Sequence, residues 1–197
     1  NAGVARMESM NTDWFSDIAQ NSLSHQHTVS VSGGSENIRY YASLGYVKDN
    51  DVIRGNQNQR NTGSLNLDIN FNDRLSASFN MNGNVSKRNY NQASISPIDY
   101  AYNTSRAIAN YDSEGAYSFY KRSKDNKLYS YNIMNELANS GTEQNSNGLS
   151  LTGNVDYKIF PWLSAKAILS YSVSNSDIEG YWGDQTYYIS TQRRSDI

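Results

Sequence analysis

Leu75-Ser76-Ala77-Ser78-Phe79-Asn80-Met81-Asn82-Gly83-Asn84-Val85-Ser86 carries an apolar residue or glycine at every odd position and Ser or Asn at every even one. Successive side chains of a strand point to opposite faces, so this stretch predicts a β-strand with one apolar and one wholly polar face. The same period extends outward. Leu65, Leu67, Ile69 and Phe71 alternate with Asn66, Asp68 and Asn70 on the near side. Further on, Leu149, Leu151, Val155, Tyr157 and Ile159 oppose Ser150, Thr152, Asn154, Asp156 and Lys158. Leu163, Ala165, Ala167, Leu169, Tyr171 and Val173 oppose Ser164, Lys166, Ser170, Ser172 and Ser174. Val29 and Val31, then Tyr40, Ala42, Leu44 and Tyr46, begin the series. The pattern predicts strands over 26–33, 38–48, 60–71, 75–88, 147–159 and 163–175.

The expected connections alternate in length. Gly33–Glu36, Asn72–Arg74 and Phe160–Trp162 are short, whereas Asp49–Gln59, the long loop 89–146 and the polar, aromatic stretch from Ser176 are longer. In an antiparallel up-and-down meander this puts every tight turn at one end and every long loop at the other. Outer-membrane barrels show that asymmetry, with short periplasmic turns and long extracellular loops. The strands also match the roughly 9–11 residues that a tilted strand needs to cross a bilayer.

Composition agrees. The 197 residues carry a net charge of −2, which does not suggest a nucleic-acid-binding surface. Mean hydropathy is −0.74, and no run approaches the roughly 18 apolar residues of a membrane helix; barrel strands escape that test because their alternation averages out as polar. Tyrosine is favoured, with 16 Tyr against 5 Phe, and its amphipathic ring suits a surface that is greasy on one side and wet on the other. Without Cys there is no disulfide and no thiolate metal site. Asn1–Met10 has no apolar core of a signal peptide, so the natural N-terminus of an exported protein is expected to lie elsewhere.

Physical necessity completes the fold class: all-β, an antiparallel up-and-down meander forming part of a large transmembrane β-barrel, with one long extracellular loop. Backbone groups in hydrocarbon have no water to bond, so a membrane sheet must close. Six strands cannot enclose a lumen, and the rest of the wall is expected outside these residues. The whole chain, 1–197, is read as one partial barrel domain with a lipid-facing apolar side and a lumen-facing polar side.

The order of several short motifs adds a family resemblance. Asn11-Thr12-Asp13-Trp14 is followed by Ser30-Val31-Ser32-Gly33-Gly34-Ser35 and Tyr40-Tyr41-Ala42-Ser43-Leu44-Gly45-Tyr46. Arg60, Leu65-Asn66-Leu67-Asp68 and Phe71-Asn72-Asp73-Arg74-Leu75 come next. The set resembles the early barrel region of SusC/RagA-type TonB-dependent outer-membrane transporters of Bacteroidetes, most clearly over residues 10–90. The resemblance implies a barrel of about 22 strands filled by a plug, and energised uptake of oligosaccharide or peptide. It also implies two protein partners, a SusD-like surface lipoprotein and TonB, the latter acting through a plug region that is absent from these residues. No cofactor is implied.

Substrate contact is assigned to aromatics of the long loop and the C-terminal stretch: Tyr111, Tyr117, Tyr120, Tyr129, Tyr131, Tyr181 and Trp182. Aromatic faces can stack on sugar rings while hydroxyls bond to them; the same residues can instead pack the loop on itself. Tyr40, Tyr46, Tyr157, Trp162 and Tyr171 are expected as an aromatic girdle. His25 and His27 share a strand face without a third ligand nearby. Asp49-Asn50-Asp51 lacks the Gly and terminal Glu of a calcium loop. No catalytic motif is present, so an enzyme is not expected. The alternative is a soluble β-sandwich that binds glycan, whose apolar face would be covered by a second sheet.

Overall fold

A computed structural model of the chain describes residues 9–92, 96–118 and 132–192. Its strands are β1 (His25–Gly34), β2 (Ile38–Asn50), β3 (Gln57–Asn70), β4 (Leu75–Tyr90), β5 (Ser140–Phe160) and β6 (Leu163–Trp182). They form one six-stranded antiparallel meander in sequence order, which does not close on itself. Short helices stand outside the sheet: α1 (Trp14–Ile18), α2 (Pro97–Asn103), α3 (Ile133–Asn139) and α4 (Tyr187–Gln192).

Register turns the alternation into two surfaces. Residues directly opposite in an antiparallel pair point to the same side. Val31, Ala42, Leu65, Met81, Leu151 and Tyr171 therefore make one apolar row across the sheet. Ser32, Tyr41, Asn66, Asn80, Thr152 and Ser170 make the row behind it. Apolar rows continue from Leu75, Tyr157 and Ala165 at the tight-turn end up to Val29, Leu44, Gly63, Gly83, Leu149 and Val173. Beyond that row the same face becomes polar. His27, Tyr46, Asn61, Asn147 and Asn175 come next, with Val85 the one apolar member. Then follow His25, Lys48, Gln59, Lys87, Asn145 and Asp177. The apolar face is thus a belt about as tall as the hydrocarbon band of an outer-membrane barrel.

Nothing among the described residues packs over this belt. Val29, Leu44 and Leu169 keep 73%, 72% and 80% of their surface exposed. The described residues hold no second sheet of the kind a sandwich requires, so that alternative is not favoured. The buried hydrophobic cluster lies elsewhere: Trp14, Ile18, Ile53, Tyr100, Ala101, Ile133 and Met134, none of them in a strand.

The tight turns are local chemistry. The Asn72 side chain accepts from the Arg74 and Leu75 amides, both at 2.9 Å, and so closes the β3–β4 turn as an Asx turn. The long-loop end departs from expectation. The connection between β4 and β5 spans 91–139 rather than 89–146, because both strands continue past the belt. The stretch from Ser176 is likewise strand, pairing with β5 as far as Ser140 opposite Trp182. Above the belt both faces are polar, so the period that marks a strand disappears while backbone pairing persists. Tyr40 and Tyr171 also sit inside the belt rather than at its rim, where Tyr46 and Tyr157 stand.

Candidate functional site

The helices and loops gather at the long-loop end. Asp13 caps α1 by accepting from the Ser16 amide at 3.4 Å. The α1 segment is then fastened to the chain after α2: Thr12 donates to Ile108 O at 2.6 Å, and Trp14 Nε1 to Ser105 O at 3.2 Å. Trp14 and Tyr100 meet edge to face at 5.3 Å. Asn132 is fully buried; its amide donates to Asn110 O at 2.8 Å, and its carbonyl caps α3 by accepting from Met134 N. Asn110 in turn donates to Asp17 at 2.8 Å. This cap meets the sheet on its polar side: Ser140 and Thr142 are buried, and they share the face of Ser150 and Thr152.

The expected substrate aromatics divide among three places. Tyr111 and Tyr117 pair across a small hairpin, their rings stacked at 5.2 Å. Asp112 shapes that hairpin by accepting from the Glu114 and Ala116 amides, and Gly115 takes the positive φ of 84° that its turn requires. Tyr111 is half exposed, while Tyr117 leans on the cap core. Partial burial, reinforced by a hydrogen bond with Tyr117, pushes the Tyr111 hydroxyl above its ordinary range. Trp182 points to the polar side and stacks on Tyr188 at 5.0 Å. Its neighbour Tyr181 points to the opposite side, lying over Gly141. Tyr120, Tyr129 and Tyr131 lie outside the described residues.

A second feature has no motif in the sequence. Asp49, Asn58, Arg88 and Tyr90 line a polar pocket of about 380 Å³ at the polar-side ends of β2, β3 and β4. The Arg88 guanidinium sits 5.5 Å from the Tyr90 ring centre, a cation–π arrangement. Asp51, in the adjoining loop, accepts from Asn56 at 2.9 Å. That bond, helped by the Ile53 and Val52 amides and the charge of Arg88, holds its carboxyl below the usual range against partial burial. Asp49 accepts from Ser24. Both carboxylates of Asp49-Asn50-Asp51 thus engage protein donors. These residues belong to three strands, at ends where alternation gives no signal, and only the pairing of β2, β3 and β4 sets them side by side.

Chemically, the Arg88 pocket offers hydrogen-bond donors and acceptors, a guanidinium and the Tyr90 ring on the polar side, where Trp182 also points and Tyr181 does not. Such groups can hydrogen-bond to a polar ligand and stack on it.

No family model matches the chain. Over 67 residues it is 39% identical to the TonB-dependent receptor SusC of Bacteroides thetaiotaomicron, covering 34% of this chain and 7% of that protein. Over 173 residues it is 22% identical to a TonB-dependent receptor of Formosa agariphila, covering 87% of this chain and 16% of that protein. The chain therefore spans a small part of the length of the relatives it matches. Its fold is similar to part of the RagAB peptide transporter, with a TM-score of 0.71 at 20% identity over 87% of this chain and 20% of that one. The RagAB importer in its closed-closed state gives 0.69 at 19% identity, with the same coverage.

Proposed function

We propose that this chain, a SusC/RagA-type segment of outer-membrane β-barrel by sequence and fold, is the wall of a TonB-dependent transporter that imports oligosaccharide or peptide. The belt carries this reading. Six strands present apolar side chains to the outside over a limited height, and the same face turns polar along neighbouring rows. A soluble core has no reason to end that way, whereas a bilayer boundary does. The unpaired outer edges of β1 and β6 are where the wall would continue, since an open edge in lipid leaves backbone groups without partners.

The cap, on this reading, is the extracellular loop layer that a SusD-like lipoprotein covers, and TonB acts through a plug encoded by other residues. Tyr111, Tyr117, Tyr181 and Trp182 are proposed to contact substrate or partner, together with Tyr120, Tyr129 and Tyr131. The similar proteins are receptors and transporters, which supports an import role over a catalytic one. The test is fractionation of cells producing the full-length protein. It should appear in outer membranes as a species whose gel mobility shifts on heating. Recovery in the soluble fraction without detergent would overturn the proposal.

A further inference from the structure

Gly63 and Gly83 stand directly opposite one another in the last apolar row of the belt. Glycine weakens a strand by roughly 0.5–1 kcal/mol relative to Ala, so a pair of them side by side needs a cause. Backbone conformation is not one, since neither has a positive φ. Crowding is not one either. A Cβ on Gly63 would meet only Leu44 Cδ2 at 3.5 Å, and one on Gly83 would meet Leu149 Cδ1 and the Gly148 carbonyl at 3.8 Å, all ordinary contacts. Gly33 and Gly141 differ, for the rings of Tyr40 and Tyr181 occupy their space. Gly153 is also open, but Phe79 and Leu169 flank it in its row. The pair at 63 and 83 instead lies in the floor of a broad, open hollow of about 760 Å³, rimmed by Leu44, Leu65, Met81, Val85 and Leu149, and deepens it there into a notch. That volume falls within the range of small-molecule sites.

Charge above the notch is uneven. On the β1–β2 side the next polar rows hold His27, His25 and Lys48, and Lys48 is in no ion pair among the described residues. On the far side stand Glu143, Asp177 and Glu179, with Glu143 taking Lys87 at 2.8 Å. Lys48 follows Leu44 by four residues on the same face, about 13 Å along the strand. His25 and His27 pack at 5.2 Å, and His25 Nδ1 is buried with no hydrogen-bond partner. An apolar notch beneath a cationic, donor-bearing corner matches an amphiphile with a hydrocarbon tail and an anionic head.

We propose that the notch seats one acyl chain of a phosphate-bearing lipid of the outer leaflet, with its phosphate held by Lys48 beside His25 and His27. This rests on the barrel reading above. The test uses the full-length protein extracted from outer membranes in mild detergent, titrated with dioleoyl phosphatidic acid and dioleoyl phosphatidylcholine under native mass spectrometry. Wild type should prefer the phosphatidic acid. The double variant Gly63→Val, Gly83→Val should weaken both lipids about tenfold, the equivalent of roughly two methylenes of lost contact. Lys48→Gln, a polar change above the belt that leaves the barrel intact, should abolish the preference while sparing phosphatidylcholine. Equal binding by all three proteins, or none by wild type, would overturn the lipid site alone. Absence of wild type from the outer membrane would sink the barrel reading and the lipid site with it.

Discussion

Glu136 accepts the backbone N–H of Tyr187 at 2.9 Å, tying α3 to the start of α4 across 51 residues of chain. Both belong to the cap, and Glu136 is buried, with Asn135 also donating to it at 3.3 Å. Burial raises its carboxyl pKa, opposed by the two donors. A raised folded-state pKa means that the folded cap binds the proton more tightly than the open one. The stabilisation is therefore complete below the ordinary carboxylate range and is lost as pH rises through the folded pKa. Hydrogen exchange at the Tyr187 amide should speed up across that window by more than the intrinsic rate does. Glu136→Gln should flatten the dependence; an unchanged pH profile in that variant would refute the assignment.

Trp14→Ala should open a cavity in the cap core where the ring meets Tyr100. Large aromatic-to-alanine changes in a core cost about 3–5 kcal/mol. Because that core contains no strand residue, the loss should be confined to the cap. Limited proteolysis should cut the β4–β5 connection faster, while the heat-modifiable gel shift of the barrel stays as in wild type.

Leu151→Arg places a charge in the middle of the apolar belt, and Asp177→Arg places one on the same face beyond it. The first should cost roughly 2–4 kcal/mol and the second close to nothing. The heat-modifiable fraction recovered from outer membranes reads the difference. Equal recovery would mean that the belt does not mark the hydrocarbon.

Tyr111→Ala removes one ring of the Tyr111–Tyr117 stack, and since Tyr111 is half exposed the fold should tolerate it. Loss of an aromatic stacking contact is worth about 0.5–1.5 kcal/mol. If substrate stacks there, the concentration for half-maximal uptake should rise about two- to tenfold with surface expression unchanged. Unaltered uptake would assign the pair to packing alone.

Arg88→Ala tests the polar pocket, where the guanidinium is the cation facing Asp49 and Tyr90. Removing it should lower affinity for a carboxylate-bearing peptide more than for a neutral oligosaccharide, because charge-assisted hydrogen bonds are the stronger kind. Competition between the two ligand types in uptake assays measures this. Parallel losses would remove charge recognition from the pocket.

Six strands, their two faces and the tight turns were legible in residues such as Leu75–Ser86 and Asn72, because alternation and turn chemistry are local properties. The upper thirds of β5 and β6 are not, since residues 140–146 and 176–182 lie above the belt and show no alternation to read. Nothing in the sequence sets Tyr100 apart, because its partner Trp14 lies far away along the chain. Tyr181 and Trp182 were read as one feature, yet neighbours on a strand face opposite ways.

Local alternation is enough to place the strands of the belt and to say which side of each is greasy, because the pleat imposes that period on any chain. Which rows line up is settled by the folded sheet. The edge of the belt, the pairing of Gly63 with Gly83 and the Arg88 pocket all arise from register between strands, and register is set by contacts that no single stretch contains.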